Sequence, residues 1–485
     1  MAATPNRQFK NICVLSGFTY GKHKEFVEAA IDLGRSIAAR KLHLVYGGGN
    51  RGLSKMVSEA AFIRGSQVLG IIPRVLKPLG SSSDSSTGEE LVVSGMQERI
   101  TEMLNHADAF IFLLGDLATL EALMTLASWA HLHIHQKPIG LLNVNNFYDG
   151  FIAFLNHAIK NYFIPSNVKK LFLCAHTAND LLDMLQAYKP EPDPWTFVLE
   201  RPNNDGNSSR SKKYKLDLTL RLRIDDVALT DDVALTDDVA LTDEEAHHRP
   251  IEGVQAVSIR KIRGRCESQS QLPNIYVLSG FNYGKHKEFV EATIDLGRSI
   301  AERELHLVYR GGNRRLLKLV SEAALVRGSQ VLGIIPRVLK PLGSLSDSPT
   351  GEELVIPGMQ QRITKMLKHA DAFIFLPGDL ATLEALITLA SWAHLNIHQK
   401  LIALLNVNNF YDGFIAFLNH AIKNYFIPST VKKVFICAHT ANELLDLLQA
   451  YRPEPYPRTL VLECPNNDGN NSRSKKCKLD LTLRL

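Results

Sequence analysis

The chain has 485 residues, 45% apolar and 22% charged, with a formal net charge of +5. It is too long for one ordinary core, and two or three domains are expected. So small a charge excess leaves no electrostatic footprint for direct nucleic-acid binding. No apolar run reaches membrane-spanning length, about 18 residues, and the opening MAATPNRQFKN lacks the apolar stretch of a signal peptide. Cys13, Cys174, Cys266, Cys437, Cys464 and Cys477 are scattered without a C-x-x-C pair, which argues against a disulfide framework or a zinc module. A soluble cytoplasmic protein with reduced thiols is the expectation.

In chain order, NICVLSG (11–17) reads as a buried strand, a short apolar run ended by glycine. Residues 22–40 carry Phe26, Ala29, Ala30, Leu33 and Ile37 at helical spacing. LHLVYGG (42–48) predicts a second strand, 53–64 a second helix, and QVLGIIP (67–73) a third strand, followed by a polar loop SSSDSSTGEE. Helix 95–106 precedes strand AFIFLLG (109–115), and helix 118–132 precedes IGLLNV (139–144). Helix 147–162 and a last pair, LFLCA then ANDLLDMLQAY, complete the unit. Strands alternating with helices, each strand nearly all apolar, predict a doubly wound parallel α/β sheet covered on both faces.

The whole pattern occurs twice. Residues 11–222 recur as 274–485 at a constant offset of 263, without insertion or deletion. A unit of this size is a domain, not a solenoid repeat. We divide the chain into copy one (1–196), a basic tail (197–222), a linker (223–273), copy two (274–459) and a second basic tail (460–485). The linker holds DDVALT three times in succession and suits a flexible tether.

In such sheets ligands bind beyond the carboxyl ends of the strands. Three loops of copy one lie there: SGFTYG (16–21), YGGGNRGL (46–53) and LGDLATLE (114–121). Glycine lets backbone N–H groups approach an oxyanion, and a helix N-terminus adds favourable partial charge, so phosphate or sugar is the expected ligand. Gly47, Gly49 and Gly52 are spaced G-x-G-x-x-G. A dinucleotide site needs that loop on the first βα unit and an acidic residue about 20 positions later. Here the loop follows the second strand and Arg74 stands in the acidic slot, so dinucleotide binding is disfavoured. In copy two Gly47 and Gly52 become Arg310 and Arg315, whose bulk is expected to block backbone approach.

The stretches VYGGGNRGLSKMVSEA, VLGIIPRVLKP, MQERITEM, ATLEAL and WAHLHIHQKPIGLLNV, in this order, resemble the Lonely guy family of plant and microbial cytokinin riboside 5′-monophosphate phosphoribohydrolases. The resemblance covers each copy up to about residues 189 and 452. It implies a Rossmann-like fold, a homodimer, and cleavage of a nucleotide N-glycosidic bond to free base and ribose 5-phosphate without metal or organic cofactor. It suggests that copy one packs on copy two as a pseudo-dimer, or that the chain forms homo-oligomers. The family signature P-G-G-x-G-T-x-x-E falls on Leu114 to Ala122 and Pro377 to Ala385, and both copies lose the middle and last glycines and the final Glu. Activity is therefore expected to be weak or lost. Asp116 stands where a glycine would line the anion pocket and would repel a phosphate. Of the family's M-H-x-R-K helix, Arg99 and Arg362 survive, and a planar guanidinium suits phosphate or ribose.

The resemblance thus nominates Arg99, Glu121, Arg362 and Glu384 as catalytic. Gly17, Gly47, Gly48, Gly49, Gly52, Gly115, Thr119, Gly311, Gly312, Gly378 and Thr382 are nominated for substrate or phosphate. Ser16 and Gly21 lie in the first of these loops and are expected to touch base or ribose, while Thr119 and Thr382 serve phosphate or merely cap a helix. His131, His133 and His135 carry the spacing of metal ligands but have no Cys or carboxylate neighbours, and read as helix-end histidines. Each tail ends in LDLTLRL, so that Leu216–Leu222 and Leu479–Leu485 resemble the L-x-L-x-L motif of plant transcriptional regulators, with RSKK before it as a nuclear-import signal. A corepressor partner and a second, nuclear location are one reading; an edge strand folding back on the domain is the other.

Overall fold

The computed structural model describes residues 9–74, 87–190, 198–199, 214–215, 273–311, 315–336, 350–356, 361–451, 459–463 and 476–480. In copy one, strands β1 (Asn11–Leu15), β2 (His43–Tyr46), β3 (Val68–Pro73), β4 (Glu89–Val93), β5 (Ala109–Phe112), β6 (Ile139–Leu142) and β7 (Phe172–Ala175) form one parallel sheet in the order β4-β3-β2-β1-β5-β6-β7. Helices α1 (Lys24–Ala39), α2 (Gly52–Phe62), α3 (Met96–His106), α4 (Leu117–His131), α5 (Asp149–Lys160) and α6 (Ala178–Ala187) cover it. The strands are short and apolar because both faces are covered: every residue of β5 and β6 is buried. The strand β4 was not expected. Its charged start, Glu89 and Glu90, runs on from a serine-rich stretch and reads as loop, yet Leu69 to Pro73 of β3 pair along it as the sheet edge.

Two short strands follow, β8 (Val198–Leu199) and β9 (Tyr214–Lys215), paired antiparallel. Copy two repeats the sheet with β10 (Asn274–Leu278), β11 (His306–Tyr309), β12 (Val331–Pro336), β13 (Glu352–Ile356), β14 (Ala372–Phe375), β15 (Leu401–Leu405) and β16 (Phe435–Ala438) in the same order. Its helices are α7 (Lys287–Glu302), α8 (Arg315–Val326), α9 (Gln361–His369), α10 (Leu380–His394), α11 (Asp412–Lys423) and α12 (Ala441–Ala450). Strands β17 (Thr459–Glu463) and β18 (Lys476–Asp480) pair antiparallel, with Leu460 opposite Leu479. The expected tail motif at 216–222, its counterpart beyond residue 480, and the linker up to residue 272 lie outside the described residues.

The strand order reverses between β1 and β5, so the loops after these strands meet at a topological switch point. The copies touch through two helix pairs, α4 with α10 and α5 with α11. Helix α4 is apolar nearly all round (LATLEALMTLASWAH) because it packs on its own sheet and on α10. An aromatic seam continues the contact: Phe163 of copy one lies 4.9 Å from Phe289 of copy two, and Phe26 lies 5.2 Å from Phe426. Each such pair adds about 0.5–1.5 kcal/mol beyond its buried area. Gly21 (φ 72°) turns the chain beneath Phe426, leaving 2.6 Å to the position a Cβ would take. Its conformation therefore serves the packing of one copy on the other.

Candidate active site

The switch point of copy one gathers residues from four elements. The loop after β1 brings Gly17 against the loop after β5: its N–H donates to Leu114 O at 3.0 Å, and a Cβ there would meet Gly115 Cα at 3.1 Å. A side chain at either glycine would part these loops. Ser16 Oγ reaches Ser54 Oγ of α2 at 2.9 Å, inside the fold.

Arg99 projects from α3 into the same place and is 4% exposed. Its guanidinium lies under the glycine loop, 3.0 Å from where a Gly47 Cβ would stand, and its Nε has no hydrogen-bond partner. Burial lowers its pKa, and the Asp116 and Glu121 carboxylates oppose that effect. The other loop glycines have different neighbours. Gly48 (φ 68°) presses on Ile72 and Gly52 (φ 56°) on the Phe18 backbone, so packing alone demands both; Gly49 faces the Phe18 ring.

Asp116 caps α4. One carboxylate oxygen accepts from Thr119 N and from Thr119 Oγ1, both at 3.0 Å. Thr119 is therefore engaged within the helix start, and the place where a helix N-terminus would receive an external anion already holds a carboxylate. Copy two repeats this with Asp379 and Thr382, and the second Asp379 oxygen accepts from Phe281 N at 3.3 Å. Gly378 faces Thr382 as Gly115 faces Thr119.

Glu121 is 2% exposed and points to the other copy, where Trp392 Nε1 of α10 donates to its Oε1 at 3.1 Å. Its Oε2 is buried without a partner. Burial pushes the carboxyl up to about 7, against the pull of Ser391, the Trp392 indole and Arg99; Glu384 of copy two pushes it further up. Glu384 is raised by its own burial. The two helices run antiparallel, since His131 near the end of α4 feels Asp379 at the start of α10 and His394 feels Asp116. Ala122, at the position of the family's final carboxylate, is buried. His135, considered above as a metal ligand, bonds Leu126 O through Nε2 inside the fold. No cluster of metal-ligating groups occurs among the described residues.

The structure thus brings Arg99, Gly17, Gly47, Gly115, Thr119 and Glu121 to one region, and Arg362, Gly378, Thr382 and Glu384 to its counterpart. Gly311 (φ 69°) presses on Ile335 as Gly48 does on Ile72, while Gly312 lies outside the described residues. Sequence reasoning missed Trp392, although an indole ending an all-apolar helix was a visible sign of a second packing surface.

The family described as "Possible lysine decarboxylase" matches residues 54–185 and again 317–448, more than half the chain. A cytokinin riboside 5′-monophosphate phosphoribohydrolase of Arabidopsis thaliana is 40% identical over 183 residues, 38% of this chain and 85% of that protein. The chain belongs to this family. A second Arabidopsis phosphoribohydrolase is 41% identical over 199 residues, covering 41% of this chain and 91% of its own length. The enzyme of that description from Oryza sativa subsp. japonica is 42% identical over 184 residues, covering 38% and 76%. Among solved structures, the molybdenum cofactor binding protein of Rippkaea orientalis aligns at 19% identity over 37% of this chain and 98% of its own, with a TM-score of 0.29. Each phosphoribohydrolase relative matches a length equal to one copy of the Lonely guy unit, and this chain carries two.

Proposed function

We propose that copy one cleaves the N-glycosidic bond of cytokinin riboside 5′-monophosphates slowly, releasing free base and ribose 5-phosphate. The observation that carries this reading is Arg99, a buried guanidinium held against Gly47 at the switch point with an unpartnered Nε. Water adds at the anomeric carbon as the carbon–nitrogen bond breaks, and the base leaves with a proton. Arg99 holds the phosphate or ribose side of the substrate. The family carboxylate that would stabilise an oxocarbenium-like transition state is replaced by Ala122. Loss of one such electrostatic contact costs about 10²–10³ in rate. Glu121, with its carboxyl near 7, is the acid within reach, but Trp392 holds it toward the other copy. The two copies together supply what a homodimer supplies in the family, so the full chain is the functional unit.

The test is release of base from isopentenyladenine riboside 5′-monophosphate by the full chain and by Arg99→Ala. Slow release that the substitution abolishes supports the assignment. No release, or release that survives Arg99→Ala, rejects it.

A further inference from the structure

Copy two does not repeat the Arg99 pocket; it changes the chemistry. Arg310 stands where copy one has Gly47, and Tyr276 where copy one has Cys13. Both are buried and interact electrostatically with Arg362: Arg310 is 6% exposed, Arg362 3%, and Tyr276 fully enclosed. Four donor atoms of this group lack any hydrogen-bond partner: Arg310 Nε, Arg362 Nε, Arg362 Nη1 and Tyr276 Oη. The nearby Asp379 carboxylate does not partner these atoms; it accepts from Thr382 at the start of α10 and from Phe281 N in the loop after β10. In the matching place in copy one, Arg99 Nε is the unpartnered buried donor among the described residues, and Cys13 has no comparable donor.

Unpaired buried donors destabilise a fold, more so when charged, unless something accepts from them. Arg310 also stacks under Phe281, its Cζ 4.8 Å from a ring that is 37% exposed, so the guanidinium lies just inside the surface. Next to it, Arg315 stacks on Tyr283 at 5.7 Å and holds a left-handed φ of 53° where copy one has glycine. Strain of that kind concentrates at functional positions.

We propose that copy two is a non-hydrolytic oxyanion site in which Arg310, Arg362 and Tyr276 hold a phosphate group. The anion lies between side chains and not on the helix N-terminus, which Asp379 has taken. Arg310 is the residue that makes the site, by adding a planar fork with several donors where copy one offers bare backbone. Burial, and the like charge of Arg362, push the Arg310 pKa down to about 10, while Asp379, Tyr276 and Glu384 oppose that effect. This site is independent of whether copy one turns over.

Isothermal calorimetry on the full chain with inorganic phosphate, and separately with ribose 5-phosphate, tests it. With the copy-one contribution removed by Arg99→Ala, one equivalent should still bind, and adding Arg310→Gly should weaken it about tenfold or more. Binding of both ligands would mark the phosphate group as sufficient; binding of ribose 5-phosphate alone would mark a phosphomonoester. Arg310→Gln, which keeps the bulk and removes the charge, should behave as Arg310→Gly does, and covers the case in which glycine unfolds the loop. Failure of both ligands to bind overturns the proposal, as does binding lost in Arg99→Ala but kept in Arg310→Gly.

Discussion

Glu121→Gln isolates the buried carboxyl between the two copies. Glutamine keeps the shape and an oxygen for the Trp392 indole but cannot ionise. In the folded chain this carboxyl titrates at about 7, against 4.5 as its ordinary value. A separation of about 2.5 in pKa corresponds to about 3 kcal/mol. Between these two values the folded protein keeps the proton that the unfolded chain has released. Stability contributed by this group therefore falls as pH rises from 4.5 to 7 and is level above that. The variant has no such proton, so the two proteins should be equally stable near pH 4. By pH 8 the variant should lead by about 3 kcal/mol. Urea unfolding followed by tryptophan fluorescence across this range reads the difference, and Trp392 reports from the hydrogen bond itself. Parallel pH profiles for the two proteins, or a variant weaker at pH 8, would refute the account of Glu121 as a buried acid held near neutrality.

Asp116→Gly should cost the helix only a few tenths of a kcal/mol, while freeing its N-terminus and the Arg99 guanidinium. Phosphate affinity of copy one, read by calorimetry in an Arg310→Gly background, should rise about tenfold; no rise would mean that Asp116 does not hold the anion position. Gly21→Ala should destabilise the chain by about 1–3 kcal/mol, because a methyl group at φ 72° would press on Phe426. An unchanged denaturation midpoint would contradict the tight seat drawn for that ring. Trp392→Phe removes the donor to Glu121 Oε1 and should cost about 1–3 kcal/mol, more at pH 8 than at pH 5 because an unpaired buried charge is worse than a neutral acid. A pH-independent loss would assign the effect to packing alone.

Much of the fold was legible because period and order are local properties. The apolar runs ending in Gly17, Gly48 and Pro73 fall on β1, β2 and β3 within a residue or two at each end. The edge strand β4 was not legible, since an edge needs only one apolar side and its alternation is masked by Glu89 and Glu90. The loops that converge on Arg99 could be named from strand order alone, because a parallel sheet forces them to one end. What the site residues do there could not. Thr119 and Asp116 form a closed local pair whose two members are three residues apart, and a single changed residue decides whether that helix start is empty or filled. Glu121 answers to Trp392, distant in sequence, and no local pattern carries that pairing. Arg310 was read as an obstruction because a side chain in a glycine loop is bulk before it is a donor.

The antiparallel pairing of α4 and α10 has a consequence for how such a molecule changes over time. In a homodimer every substitution beside the twofold axis is made twice, so a residue that suits one pocket is imposed on the other. Here one chain supplies both sides, and each position is written separately. A cysteine can stay behind Arg99 while a tyrosine takes its place behind Arg362, and a glycine can stay over the first guanidinium while an arginine covers the second. The shared seam holds the two halves to one geometry, while their pockets are free to specialise.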